Sequence, residues 1–521
     1  MTSAPPPPVI ATRRATQCTA PHAGRALVAL AGLAIVLPWL NPFTLGPTPN
    51  TLPLLVSGFC TLVLIAVWGG LAQRTGARIH PGTLLTAWAG AALLSGAMGL
   101  AQYFGWADAL APWVHPSSAG EAFANLRQRN QFASLTSIGL VAVVYGATHL
   151  STAHRGWLRT ARAFLLVAAL ALLAMANAAS ASRTGALQWV MVAVLALGWS
   201  QPGKRHGAKW AMGGLLLYAL AVVTLPSLLQ VLTGITHTGL LDRLTEPPGC
   251  ESRRILWANV LELIAQKPLW GWGWGELKFA HYSHPYSGMR FCAILDNAHN
   301  LPLQLAVELG VPLAVALCAI TGWLLWRGKP WRETNAVRQC AWAVLAIIGL
   351  HSLVEYPLWY GPFQMAVGLC IWVLWRKTDQ PRNAMVQGAA TIAWVGALLV
   401  LLYTAWDYTR VSQLYLPVGQ RLAIFRVDTL EKARASHLFA NAVRFAELTT
   451  TPLTHDNAAQ QYALARQLRH FSPEPRVLER VLESAERLGL NDDTVQRERQ
   501  QFQSAYPEAF ARWQAARAPL N

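Results

Sequence analysis

Apolar runs recur along the chain at about residues 26–40, 51–71, 83–104, 131–150, 163–180, 185–200, 209–233, 300–326, 339–354, 358–375 and 386–406. A bilayer core asks for about 20 apolar residues in a helix, so these runs predict about eleven membrane-crossing helices. Two longer polar stretches interrupt the pattern, one from about Gly234 to Asn300 and one from Asp407 to the end. The second has helical spacing, with Val477, Leu478, Val481, Leu482, Ala485 and Leu488 on one side. Arg466, Arg469, Arg480 and Arg487 alternate with acids there, as on a solvated helical face. The expected architecture is all-α: a helical membrane bundle over 26–406, a large loop at 234–300, and a small helical-hairpin domain at 407–521.

Composition agrees with that pattern. Of 521 residues, 53% are hydrophobic and only 13% charged, about half the charged fraction of soluble domains. The net charge of +17 could signal nucleic acid, but its placement argues otherwise. Residues 407–521 hold 15 Lys and Arg against 13 Asp and Glu, so the surplus lies in the bundle. With the N-terminus inside, Arg74, Arg78, Arg155, Arg159, Arg162, Lys204, Arg205 and Lys209 all fall in cytoplasmic loops, as do Arg327, Lys329, Arg332, Arg338, Arg376, Lys377 and Arg382. The short outer loops carry Arg127, Arg129 and Arg183. The bias sets the orientation and excludes a nucleic-acid partner. Residues 1–25, Pro-rich with Arg13 and Arg14, read as a disordered cytoplasmic tail. The first apolar run reads as a retained span, since it lacks a small-residue cleavage site. The large loop and the C-terminal domain then lie outside, where Cys250 and Cys292 either pair as a disulfide or remain two small unpaired residues.

The chain has no HExxH, CxxC, Walker or dinucleotide-binding signature, so no metal or nucleotide cofactor is expected. The alternation Trp270-Gly271-Trp272-Gly273-Trp274-Gly275 reads as an interfacial aromatic turn. Candidate chemistry instead collects at the outer ends of the apolar runs. Arg127, Gln128, Arg129 and Asn130 precede the fourth, and Arg183 lies in the turn between the fifth and sixth. Arg253, Arg254 and Trp257 open an amphipathic helix with Trp257, Val260, Leu261 and Ile264 on one face. His299 and Asn300 begin the eighth run, and Glu355, Tyr356 and Tyr360 lie between the ninth and tenth. Pro302 suits a first helical turn, and Asn297 or Asn300 can cap it. His299 then faces a positive helix terminus, which favours a neutral imidazole able to accept a proton. Singly, each residue has a plainer reading: arginines snorkel, aromatics form belts, and amides cap helices. Gathered on one side, the arginines match the chemistry of an anionic lipid headgroup.

These pieces, in this order, resemble the bacterial O-antigen ligase and polymerase superfamily, and most closely its PglL-type protein O-oligosaccharyltransferases. The resemblance rests on Arg127-Gln128-Arg129-Asn130, Ser182-Arg183-Thr184-Gly185, Arg253 with Trp257, and Pro268-Leu269-Trp270-Gly271-Trp272-Gly273. It also rests on His299-Asn300 with Gln304, Glu308 and Gly310, and on Glu355-Tyr356-Pro357-Leu358-Trp359-Tyr360. It implies a GT-C-like inner-membrane transferase that works on the periplasmic side. The implied donor is a glycan on undecaprenyl diphosphate, and the implied acceptor a Ser or Thr hydroxyl of a pilin-like exported protein. It also implies His299 as general base and Arg183 with Arg253 or Arg254 on the diphosphate. Gln128 and a tyrosine, Tyr356 or Tyr360, would orient the sugar or the base. An O-antigen ligase or polymerase, with a lipid A-core or sugar hydroxyl as acceptor, is the competing reading within the superfamily. A lipid-linked sugar flippase competes from outside it, but would need ionisable residues at mid-bilayer depth.

Overall fold

The computed structural model describes residues 21–71, 82–149, 157–200, 206–236, 239–245, 249–375 and 384–517. Residues 1–20 of the N-terminal tail lie outside the described residues. So do the loops carrying Arg74, Arg78, Arg155, Lys204, Arg205, Arg376, Lys377 and Arg382.

The described residues form helices and no strands. In chain order they are α1 (Pro21–Leu40), α2 (Thr51–Ala66, continued by a π-turn to Leu71), α3 (Gly82–Tyr103), α4 (Arg129–His149), α5 (Trp157–Ala179), α6 (Arg183–Gly198) and α7 (His206–Thr233). A short α8 (Leu240–Thr245) precedes α9 (Arg253–Gln266), α10 (Leu277–Ser283) and α11 (Leu301–Leu309). The bundle resumes with α12 (Val311–Gly328), α13 (Ala336–Ser352), α14 (Gly361–Trp375) and α15 (Ala384–Ser412). Six short helices follow, α16 (Thr429–Arg434), α17 (Ala440–Thr450), α18 (Ala458–Leu468), α19 (Pro475–Arg487), α20 (Asp493–Ala505) and α21 (Pro507–Ala515). Among the described residues, seven helices are long and apolar enough to cross a membrane, and four shorter apolar helices accompany them. The protein is a polytopic helical membrane protein.

One apolar core runs through the bundle, with α4 at its centre, most of its surface buried against neighbours. Close approach depends on small residues: a Cβ added at Gly139 of α4 would stand 2.3 Å from the Ala92 Cβ of α3. By contrast α12 and α15 turn nearly all of their side chains outward, as lipid-facing helices do. A second core joins α9, α10 and α11 into a layer over one end of the bundle. The C-terminal helices build further cores, one of which takes in Tyr282 of α10, so the layer and the C-terminal helices are packed together.

Three sequence expectations change. The eighth apolar run is not one span: Gly310 breaks it with φ +88°, and only α12 continues as a long apolar helix. An added Cβ at Gly310 would lie 2.1 Å from the Leu269 carbonyl oxygen, so the chain turns there against the Trp-Gly segment. The boundary at Asp407 falls inside α15, which runs on to Ser412, and Asp407 is fully buried in it. The buried face of α9 is Ile255, Leu256, Asn259, Val260, Leu263 and Ile264, while Leu261 is exposed. Asn259 replaces it because its amide accepts from Phe291 N–H at 2.8 Å and donates to the Met289 carbonyl at 3.1 Å.

Candidate active site

The residues singled out above lie at helix starts, and the caps explain how they are held. Ser182 caps α6, accepting from Gly185 N–H at 3.0 Å. Ser252 caps α9, and Asn300 caps α11, accepting from Leu303 N–H at 3.0 Å with Pro302 in the first turn. Asn297 is not the cap: its side-chain oxygen accepts from His299 N–H at 2.8 Å. His299 itself sits at φ +49°, a left-handed conformation costly for a residue with a Cβ. Three more bonds hold it there. Trp257 Nε1 donates to the Ala298 carbonyl at 3.1 Å, Ala298 N–H donates to Gln304 Oε1 at 2.6 Å, and Asn300 Nδ2 donates to the Leu353 carbonyl at 2.9 Å.

Four segments distant in sequence meet at Glu355. Its Oε2 lies 2.7 Å from His299 Nδ1. Its Oε1 accepts from Arg253 Nη2 and, at 3.2 Å, from Asn130 Nδ2. Asn130 Oδ1 in turn accepts from Ser182 Oγ at 2.7 Å, which reaches the start of α6. The carboxylate is almost enclosed, with 6% of its side chain exposed against 17% for His299. Burial alone pushes its pKa up, but the imidazole of His299 and the Arg253 guanidinium outweigh that cost, and the carboxyl sits below its usual range. Tyr356 stands edge-on to the His299 ring, centroids 4.8 Å apart, and stacks on Tyr360 at 5.9 Å. Burial raises the pKa of both phenols, so both keep their protons at neutral pH.

The other candidates are placed less centrally. Gln128 Oε1 accepts from Gln131 N–H at 2.7 Å and so braces the start of α4. Arg127 donates to the Pro42 carbonyl, and Arg129 lies 3.9 Å from Glu121. Arg183 and Arg254 are exposed and make no hydrogen bond or ion pair among the described residues. Cys250 and Cys292 form a disulfide with Cα atoms 5.6 Å apart, bracketing α9 and the approach to His299. The Trp-Gly segment does more than lie at an interface. Trp272 and Gly273 N–H groups donate to the Val307 and Glu308 carbonyls at 2.8 and 3.0 Å, and Gly275 N–H donates to Glu308 Oε1 at 3.0 Å, clamping α11. Sequence reasoning singled out Ser182 only within the Ser182-Arg183-Thr184-Gly185 motif and gave it no role, because its bond to Asn130 spans 52 residues.

All of these groups lie at one end of the bundle. α5 begins near Arg159 and Arg162 and ends at the Ser182 turn, while α13 begins near Arg338 and ends four residues before the Tyr356 turn. The basic residues Arg159, Arg162 and Arg338 therefore stand about a bilayer's thickness from Glu355. Chemically, the cluster offers an imidazole with one nitrogen held by a carboxylate, a guanidinium on that same carboxylate, and two exposed arginines nearby in sequence.

Comparison with known proteins gives three family matches. Residues 166–318 match the family described as O-Antigen ligase. Residues 122–145 match "Protein glycosylation ligase", and residues 339–521 match "Virulence factor membrane-bound polymerase, C-terminal". The chain is also 23% identical over 301 residues to a General O-oligosaccharyltransferase of Acinetobacter baylyi, which covers 55% of this chain and 49% of the relative. The chain thus spans about half the length of that curated relative.

Proposed function

We propose that the chain is a PglL-type member of the O-antigen ligase superfamily and that it transfers a glycan en bloc from undecaprenyl diphosphate to Ser or Thr hydroxyls of exported proteins such as pilins, at the periplasmic face of the inner membrane. The observation that carries this reading is the junction of His299, Arg253 and Asn130 on the single carboxylate of Glu355. With Nδ1 of His299 turned to Glu355, its Nε2 is the nitrogen left to take the acceptor hydroxyl's proton. Glu355 then stabilises the imidazolium that forms, as the carboxylate of a catalytic triad does. The attacking oxygen displaces the lipid diphosphate from the anomeric carbon. Arg183 and Arg254, without side-chain partners among the described residues, are suited to bind the diphosphate charge that develops, and Arg253 faces both that charge and Glu355. Tyr356, protonated and packed on the imidazole, and Gln128 orient the base and the first sugar. The large loop, tied by its disulfide, and the helical domain after α15 would then lie outside the membrane on the acceptor's side.

The test is mass spectrometry of a pilin co-expressed with this protein and a defined lipid-linked glycan. A mass increment on Ser or Thr, absent with His299→Ala at equal membrane insertion, is the expected result. Wild-type glycosylation by His299→Ala would remove the base. A second reading is favoured by the O-Antigen ligase match itself: the acceptor hydroxyl belongs to a saccharide. Under it the same experiment leaves the pilin unmodified and the glycan instead appears on lipid A-core or as a lengthened polymer.

A further inference from the structure

Beside the catalytic cluster, two indoles from different segments lie close together. Trp274 comes from the Trp-Gly segment that clamps α11, and Trp359 from the turn between α13 and α14. Their ring centroids are 6.5 Å apart and their planes differ by 12°. Both remain open, Trp274 at 67% exposure and Trp359 at 37%. Trp359 also lines a narrow crevice with Asn297, Gln304, Glu355 and Tyr356. Asn297, 4% exposed, lines it too, and its Nδ2 has no hydrogen-bond partner among the described residues. Exposed tryptophans usually anchor a protein at the membrane interface, and Trp270, 87% exposed in the same loop, fits that role. Trp274 and Trp359 differ in being paired, near-parallel, across two segments that each also hold the catalytic cluster: Gly275 N–H bonds Glu308 of α11, and Trp359 lies four residues from Glu355.

We infer that Trp274 and Trp359 form a saccharide-binding platform for sugars of the donor glycan beyond the one whose anomeric carbon reacts. An indole is a large, rigid, electron-rich face that needs little ordering on binding. The polarised C–H groups of a pyranose face pack on such a surface, while its hydroxyls stay in water. Tyr356 packs against the His299 ring and lines the same crevice as Trp359, so a sugar on Trp359 is taken to be a neighbour of the reacting sugar along the chain. An acceptor peptide is the less suited occupant, because near-parallel indoles select for flat, sequence-tolerant stacking, which recognises a sugar face and leaves the acceptor's sequence unread. The inference rests on the proposed donor, and its test separates the two.

Full-length protein would be assayed with lipid-diphosphate donors carrying one sugar and three sugars. The wild-type protein is expected to prefer the trisaccharide donor, and Trp274→Ala and Trp359→Ala are each expected to reduce that preference about tenfold in kcat/KM. Trp270→Ala is expected to leave the preference intact. An unchanged preference in the Trp274 and Trp359 variants overturns the platform. So does an equal loss with Trp270→Ala, which marks a membrane belt, or a rise confined to the KM of the acceptor, which marks a peptide site. If the wild-type protein transfers neither donor, the proposed function has failed, and the platform is read without turnover. Saturation-transfer NMR with soluble chitotriose should then show contacts to sugar ring protons that the double Trp274→Ala/Trp359→Ala variant loses, and equal signals from both proteins overturn it.

Discussion

Glu355→Gln is the sharpest perturbation of the site, because it preserves shape and removes one charge. The wild-type carboxylate serves three donors: His299 Nδ1 at 2.7 Å, Arg253 Nη2, and Asn130 Nδ2 at 3.2 Å. A hydrogen bond to a charged partner contributes about 1.5–3 kcal/mol. In the proposed reaction the ring becomes a cation beside this nearly enclosed carboxylate, and at about 4 Å between charges an effective dielectric near 20 gives about 4 kcal/mol. That is the larger figure, and it acts only when the ring is charged. A loss of about 1.5–4 kcal/mol at the transition state lowers kcat by about 10-fold to 10³-fold. The assay is transfer from purified lipid-linked glycan to an acceptor in detergent, at saturating donor, with thermal unfolding as the control for folding. The pH dependence has a definite sign. Because the folded carboxyl lies below its ordinary value of 4.5, its ionised form and the stability it contributes are present above that value. They are lost only as the pH falls through the still lower folded value. Glu355 itself therefore adds no titration step to the rate profile between about pH 5 and 8. A Glu355→Gln protein with kcat within threefold of wild type, folded and inserted, would refute the role given to the carboxylate.

Other perturbations follow from the same geometry. Asn130→Ala should cost only about 3–10-fold in kcat, the scale of a neutral hydrogen bond, whereas Asn130→Asp should shift the acid limb of the pH–rate profile upward by setting a second carboxylate against Glu355. An acid limb that does not move in Asn130→Asp would show that Glu355 does not need its charge. Cys250→Ser should lower thermal stability and open the loop to protease, since closing a loop with a sequence separation of 42 is worth about 4 kcal/mol in the chain-entropy description; unchanged protease resistance would place the loop's order elsewhere. Gly310→Ala should lower the Tm by several degrees or cost activity through a displaced α11, because the new Cβ meets the Leu269 carbonyl at 2.1 Å and φ there is left-handed; a wild-type Tm and rate would contradict the break's importance.

The sequence reads well where one residue type dictates one local outcome. The apolar runs became helices in the expected order, and Asn300 with Pro302 opens α11, because capping and hydropathy act over a few residues. It reads poorly where the outcome depends on a partner far along the chain. Gly310 sits inside an apolar run and looks continuous, yet the Leu269 carbonyl, over 40 residues earlier, makes it a turn. Asn259 looks like a solvent-facing residue of α9 until Phe291 and Met289 supply its bonds. Glu355 shows the same limit in the site itself. Its place beside Tyr356 marked it as a supporting residue, but a sequence separation of 56 from His299 and 102 from Arg253 hid that both bond its carboxylate. Polar groups at a bilayer's edge are therefore better read as sets than singly. A carboxylate with 6% exposure must find donors, and His299 and Arg253, on segments otherwise unrelated in sequence, are the donors it found. That requirement is what turns scattered motifs into one polar cluster: the enclosed charge fixes the imidazole's orientation, and the apolar bundle beneath it keeps the charge enclosed.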